Sequence, residues 1–97
     1  MDKCFHVYLM ADGPYGTMYL GVTSNLSRRV FEHKHETFRG FTSKHGIKML
    51  VWYEEYPTAL EAIAAEKKYK KWRRQWKKDM VTKFNSEWRD LAEDLNK

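Results

Sequence analysis

The stretch Thr17–His33, TMYLGVTSNLSRRVFEH, decides how this chain folds. Its first part, through Val22, carries β-formers in loose alternation and reads as a strand. Ser24 or Asn25 then offers a side-chain oxygen to cap a helix running to about Lys34, with Leu26 and Val30 one turn apart on its inner face. Arg29 and His33 share a second i, i+4 pair. Upstream, Phe5–Met10 is strand-like, and ADGPYG (11–16) is a turn because glycine and proline break any regular element. The two strands form a hairpin. Pairing Val7 with Leu20 and Leu9 with Met18 gives one wholly apolar face; it also sets Tyr8 opposite Tyr19 and His6 opposite Gly21 on the other. The hydroxyls of Tyr8 and Tyr19 are then expected to point toward Arg29.

Downstream, IKMLVWYEEY (47–56) is a third strand, apolar enough to be central. Pro57 and Thr58 open the next helix, and Thr58 with Glu61 has the capping-box spacing. Leu60, Ile63 and Ala64 are its expected inner face. The pattern continues through Tyr69, Trp72, Trp76 and Met80 to about Lys83, with a break near Trp72. Asn85-Ser86 ends it, and Glu87–Leu95 is a last short helix with Trp88, Leu91 and Leu95 inward. The order predicts an α+β fold: a three-stranded antiparallel sheet flanked by helices, ββαβα plus C-terminal helices. At 97 residues the expectation is one domain, 1–97.

Hydrophobic content of 42% with four tryptophans supplies a core. No run approaches the ~20 apolar residues of a membrane span, the N-terminus lacks a secretory pattern, and the lone Cys4 fits a reducing compartment, so a cytoplasmic protein without membrane association is expected. Eighteen Lys and Arg against thirteen Asp and Glu leave a charge of +5, which favours an anionic partner such as nucleic acid. The basic residues cluster in EKKYKKWRRQWKK (66–78). There Tyr69, Trp72 and Trp76 at helical spacing read as core. Lys67, Lys68, Lys70, Lys71, Arg73 and Arg74 then form an outer face able to contact phosphates without regard to sequence.

The tripeptides HVY (6–8) and YLG (19–21), followed by T-x-x-L-x-x-R-x-x-x-H (23–33), resemble the GIY-YIG nuclease family, in particular its small single-domain bacterial members. The resemblance runs from Phe5 to Leu91. It implies catalytic roles for Tyr8, Tyr19, Arg29, His33 and Glu66, the last also as the metal ligand, and it matches Asn85 to a late asparagine of the family, grouped here with the nucleic-acid-binding residues. His6 stands where the family has its first glycine, and Leu20 where it has isoleucine. Val22 stands where excision-repair relatives carry lysine, and Ser86 where small relatives often have proline.

The implied activity is a divalent-metal-dependent DNA endonuclease, a phosphodiesterase of DNA repair or recombination using Mg2+ or Mn2+. The chemistry suits these residue types. An arginine fork binds non-bridging phosphate oxygens and stays charged. Magnesium binds through one or two carboxylates while keeping waters. Tyr19 is implied to orient or deprotonate the attacking water. Without the family pattern Glu66 reads as an i, i+4 salt bridge to Lys70. Two rival readings are a DNA-binding module of the same fold without turnover, and a subunit that a protein partner delivers to DNA.

Overall fold

The computed structural model describes residues 4–35 and 46–96. Its sheet contains β1 (Phe5–Ala11), β2 (Met18–Thr23) and β3 (Met49–Tyr56), all antiparallel, in the order β2-β1-β3. Between β2 and β3 lies α1 (Leu26–Lys34); after β3 come α2 (Ala59–Lys70), α3 (Arg74–Phe84) and a 3-10 helix (Leu91–Asn96). This is the expected α+β order. Among the described residues, no helix is long and apolar enough to cross a membrane.

The central strand is β1, not β3. Every residue from Val7 to Ala11 is buried, because helices cover both faces of this strand and continuous burial calls for a continuous apolar run. β3 lies on the edge and exposes Glu54 and Glu55. Val7, Leu9 and Ala11 pack with Ala62, Ala65 and Tyr69 of α2. On the opposite face Tyr8 and Met10 pack with Leu26 and Val30 of α1 and with Leu91.

The hairpin register differs by two residues from the expectation. Tyr8 pairs with Gly21, Leu9 with Leu20 and Met10 with Tyr19. An even shift leaves each side chain on its predicted face, so the apolar face survives while Tyr19 moves diagonal to Tyr8. Two devices set this register. Asp12 closes the turn, its backbone pairing with Thr17 O at 3.1 Å and its Oδ1 accepting from Thr17 N at 2.9 Å. The ring of Tyr8 lies across Gly21, where an added Cβ would come within 2.5 Å of the phenol oxygen.

In α2, Thr58 is the N-cap and accepts from Glu61 N at 3.2 Å, as the spacing predicts. The inner face is different. Leu60 is 81% and Ile63 40% exposed, and Ala64 is exposed too, while Ala62, Ala65 and Tyr69 are buried. Large core side chains from the sheet and from Trp88 fill the space here, so the helix presents alanines along its first turns and adds Tyr69 only near its end. The break falls at 71–73, as expected near Trp72. It changes the helical phase, and Trp76 is left half-exposed beneath the guanidinium of Arg73 rather than in the core. The closing segment is shorter than expected: Trp88 and Leu91 are buried, but only Leu91–Asn96 is helical, in 3-10 form. Tyr15 and Trp88 both adopt positive φ, and their rings stack at 4.8 Å, pinning the hairpin turn to this segment.

Asn85 has a structural place rather than the expected position at the nucleic-acid surface. Buried at the end of α3, it donates from Nδ2 to Val51 O (3.2 Å) and Arg89 O (2.8 Å) and accepts from Arg89 N (3.2 Å). Val51 is the extra residue of a bulge, since Leu9 pairs with Trp52 and Met10 with Leu50, and its carbonyl faces no β1 partner. Asn85→Ala leaves that buried carbonyl and Arg89 unsatisfied. Urea denaturation is expected to show a loss of about 2–4 kcal/mol.

Candidate active site

The site is assembled on the Tyr8 face of the sheet. Two residues, Ser24 and Asn25, separate β2 from α1, with Asn25 Oδ1 accepting from Arg28 N at 3.1 Å. Leu26 and Val30 hold it against the sheet, and the same turns bring His33 over the hairpin. The Tyr8 hydroxyl and His33 Nε2 lie 3.1 Å apart. The rings of Tyr8 and Tyr19 lie 5.8 and 5.3 Å from that of His33, and 6.4 Å from each other. Tyr8, Tyr19 and His33 thus form one cluster, in which the Tyr8 hydroxyl reaches His33.

Protonation follows from this packing. Burial pushes Tyr8 far above the ordinary phenol range, the neighbouring Tyr19 adds to the rise, Arg29 opposes it and Glu32 reinforces it. Burial holds His33 below its usual 6.5, aided by Arg29 and opposed by Glu32. Tyr8 therefore remains a phenol and donates to a neutral imidazole.

Arg29 sits one turn before His33, its side chain 38% exposed, with Nε 3.6 Å from Glu32 Oε1. Arg28 Nε lies 3.8 Å from the other oxygen of Glu32. Glu32 went unnoticed in the sequence. Its spacing of three from Arg29 and four from Arg28 was the available signal, and it supplies the negative charge that Tyr8 and His33 both sense.

Glu66 is not in the tyrosine cluster. It stands on α2, packed on the other face of the sheet, with its side chain 15% exposed and an oxygen 3.6 Å from Lys70 Nζ. The two sides meet around the edge strand β2. Arg29 and Ile63 line one cavity there, and Glu66 follows Ile63 by one helical turn. The donor set fits a hard cation: a single, largely covered carboxylate suits magnesium, which completes its shell with water. Lys67, Lys70, Lys71, Arg73 and Arg74 are all exposed around the α2–α3 break.

The GIY-YIG catalytic domain model matches residues 4–79. The chain belongs to the GIY-YIG nuclease family. A solved relative, the UPF0213 protein BH0048 from Bacillus halodurans, determined by solution NMR, is 26% identical, with a TM-score of 0.50 over 81% of this chain and 83% of that one. No curated protein matches significantly. Within the GIY-YIG fold, β1 carries the first tripeptide position at His6–Tyr8 and β2 the second at Tyr19–Gly21. The glycine ending YLG is required because the Tyr8 phenol occupies the space of a side chain.

The depressed histidines make stability depend on pH. His6 is also held below 6.5, by burial against the opposing effect of Glu55. The unfolded chain then binds protons at a higher pH than the folded one, so stability is fully present above 6.5 and is lost as pH falls through the folded values. Unfolding free energy measured between about pH 7.5 and 5 should fall on acidification. His33→Gln should flatten part of that slope.

Proposed function

We propose that the protein is a divalent-metal-dependent DNA endonuclease hydrolysing phosphodiester bonds. The observation that carries this reading is the grouping of Tyr8, Tyr19 and His33 beside the half-exposed guanidinium of Arg29. Arg29 binds the non-bridging oxygens of the scissile phosphate, where a planar, permanently charged fork suits the trigonal array of the transition state. Tyr19, less covered than Tyr8, orients the attacking water. Tyr8 stays protonated, donates to His33 and holds the imidazole in one orientation. Glu66 would hold Mg2+ or Mn2+, which when bound would supply positive charge to the departing oxygen. The exposed Lys67, Lys70, Lys71, Arg73 and Arg74 add sequence-independent, salt-sensitive attraction to the DNA backbone.

The test is purified protein against single-stranded, duplex, flap and branched DNA, with magnesium, manganese or EDTA. Metal-dependent nicking supports the enzyme. Binding without nicking on every substrate overturns it and leaves the rival, a DNA-binding module without turnover. That rival is favoured by Val22, which places an apolar side chain where excision-repair relatives have lysine.

A further inference from the structure

Two cavities meet at Arg29. One, of about 180 Å3, lies at the start of α1 and is walled by Asn25, Arg28 and Glu32. The other, of about 250 Å3, is walled by Phe5 and Val22 of the hairpin and by Ala59 and Ile63 of α2. Thr23, Ser24 and Arg29 belong to both. A polar compartment and an apolar one therefore share a guanidinium and two hydroxyl-bearing residues. A nucleotide has the same two-part chemistry, with a charged phosphate at one end and a flat, largely apolar base at the other.

We propose that the apolar cavity receives an unpaired nucleobase adjoining the phosphate bound at Arg29, so that the protein selects DNA with an unstacked nucleotide at that position. This rests on the reading of Arg29 as the phosphate ligand. A base inside a duplex is stacked on both faces and paired at its edge, and it reaches such a cavity only after leaving the helix. A bulge, flap or single strand spares that cost. The walls provide apolar contact for any base, and Arg29 lies where its planar face can stack on the ring while its N–H groups hold the phosphate. Val22 acquires a role here, because a lysine in its place would fill the cavity floor with a charged chain. The guanidinium at the rim and the +5 charge of the chain favour a nucleic-acid strand over an apolar peptide.

The experiment compares two labelled duplexes by fluorescence anisotropy in EDTA, one with a single unpaired adenosine and one with an abasic residue at the same place. Wild type should bind the base-containing DNA about tenfold more tightly, the size of one base-stacking contact. Ala59→Leu, which fills the cavity, and Ile63→Ser, which removes a wall, should reduce that affinity to the abasic level. Leu60→Ser, on the same helix but outside the cavity, should keep the preference. Melting curves establish that each variant is folded, and 2-aminopurine at the unpaired position reports on the base in wild type independently of any substitution. Equal affinity of wild type for the two duplexes overturns the proposal, as does a preference that persists in both cavity variants. Cleavage with magnesium is measured in parallel. Cleavage without base preference sinks the base pocket alone, whereas base preference without cleavage sinks the nuclease reading and leaves the pocket standing.

Discussion

Arg29→Ala is expected to reduce metal-dependent cleavage by about 100- to 1,000-fold, the usual cost of losing one donor to a charged transition state. Glu66→Gln should produce a loss of similar order by a different route, because it keeps size and helix propensity while removing the charge proposed to hold the cation. The two differ in binding. Arg29→Ala weakens DNA affinity slightly, since one phosphate contact disappears. Glu66→Gln leaves affinity unchanged or improves it, since a negative charge near the DNA is removed. Both variants should retain the wild-type circular dichroism spectrum. Arg29 is half-exposed and belongs to neither core cluster, and Arg28 remains to pair Glu32. Glu66 is not the cap of its helix and pairs only with the exposed Lys70 among the described residues. The double variant should be scarcely worse than either single one, because groups serving one transition state are not additive. If Glu66→Gln cuts as fast as wild type, the cation is held elsewhere.

Gly21→Ala should impair cleavage without touching a charged group. The methyl would stand 2.5 Å from the Tyr8 oxygen and 2.6 Å from its ring. That ring is not the loose end of a flexible chain. It is 1% exposed, and its hydroxyl is tied to His33. Tyr8 must swing away, breaking that bond and moving the imidazole from Tyr19. The overpacking is expected to lower stability by about 1–3 kcal/mol and cleavage by at least tenfold, as positioning of reacting groups degrades. The double variant Gly21→Ala with Tyr8→Phe separates the causes. Phenylalanine lacks the oxygen nearest the new methyl, so it should recover part of the stability but none of the activity. If Gly21→Ala alone cleaves like wild type, the Tyr8–His33 bond is not needed for catalysis.

The alternation of the hairpin, the asparagine cap of α1 and the Thr58 cap of α2 are local, because each depends on residues within a few positions of one another. The hairpin alternation and the Thr58 cap were legible in the sequence and fold as read, as was the break near Trp72; for α1 the sequence offered Ser24 or Asn25, and Asn25 takes the place. Parity of the strands is local too: a pleat of period two assigned Tyr8 and Tyr19 to the α1 face even though the register was read two residues short. Register itself depends on the Asp12 turn and on the space over Gly21, and a periodic pattern cannot distinguish shifts of two. Which strand is central depends on what covers each face. That comes from α1, α2 and the C-terminal segment, so the apolar run of β3 misled. The inward face of α2 was decided by bulk arriving from elsewhere, Trp52 and Trp88, which made alanine the better fit than leucine or isoleucine. Asn85, which the resemblance matched to a family asparagine and placed with the nucleic-acid-binding residues, is buried because the bulge at Val51 gives it a carbonyl to satisfy. The residue types of the site could be listed from its motifs. The Tyr8–His33 bond, the charge of Glu32 beside them and the cavity joining Arg29 to Ile63 arise only where distant segments touch, and tertiary structure alone decided them.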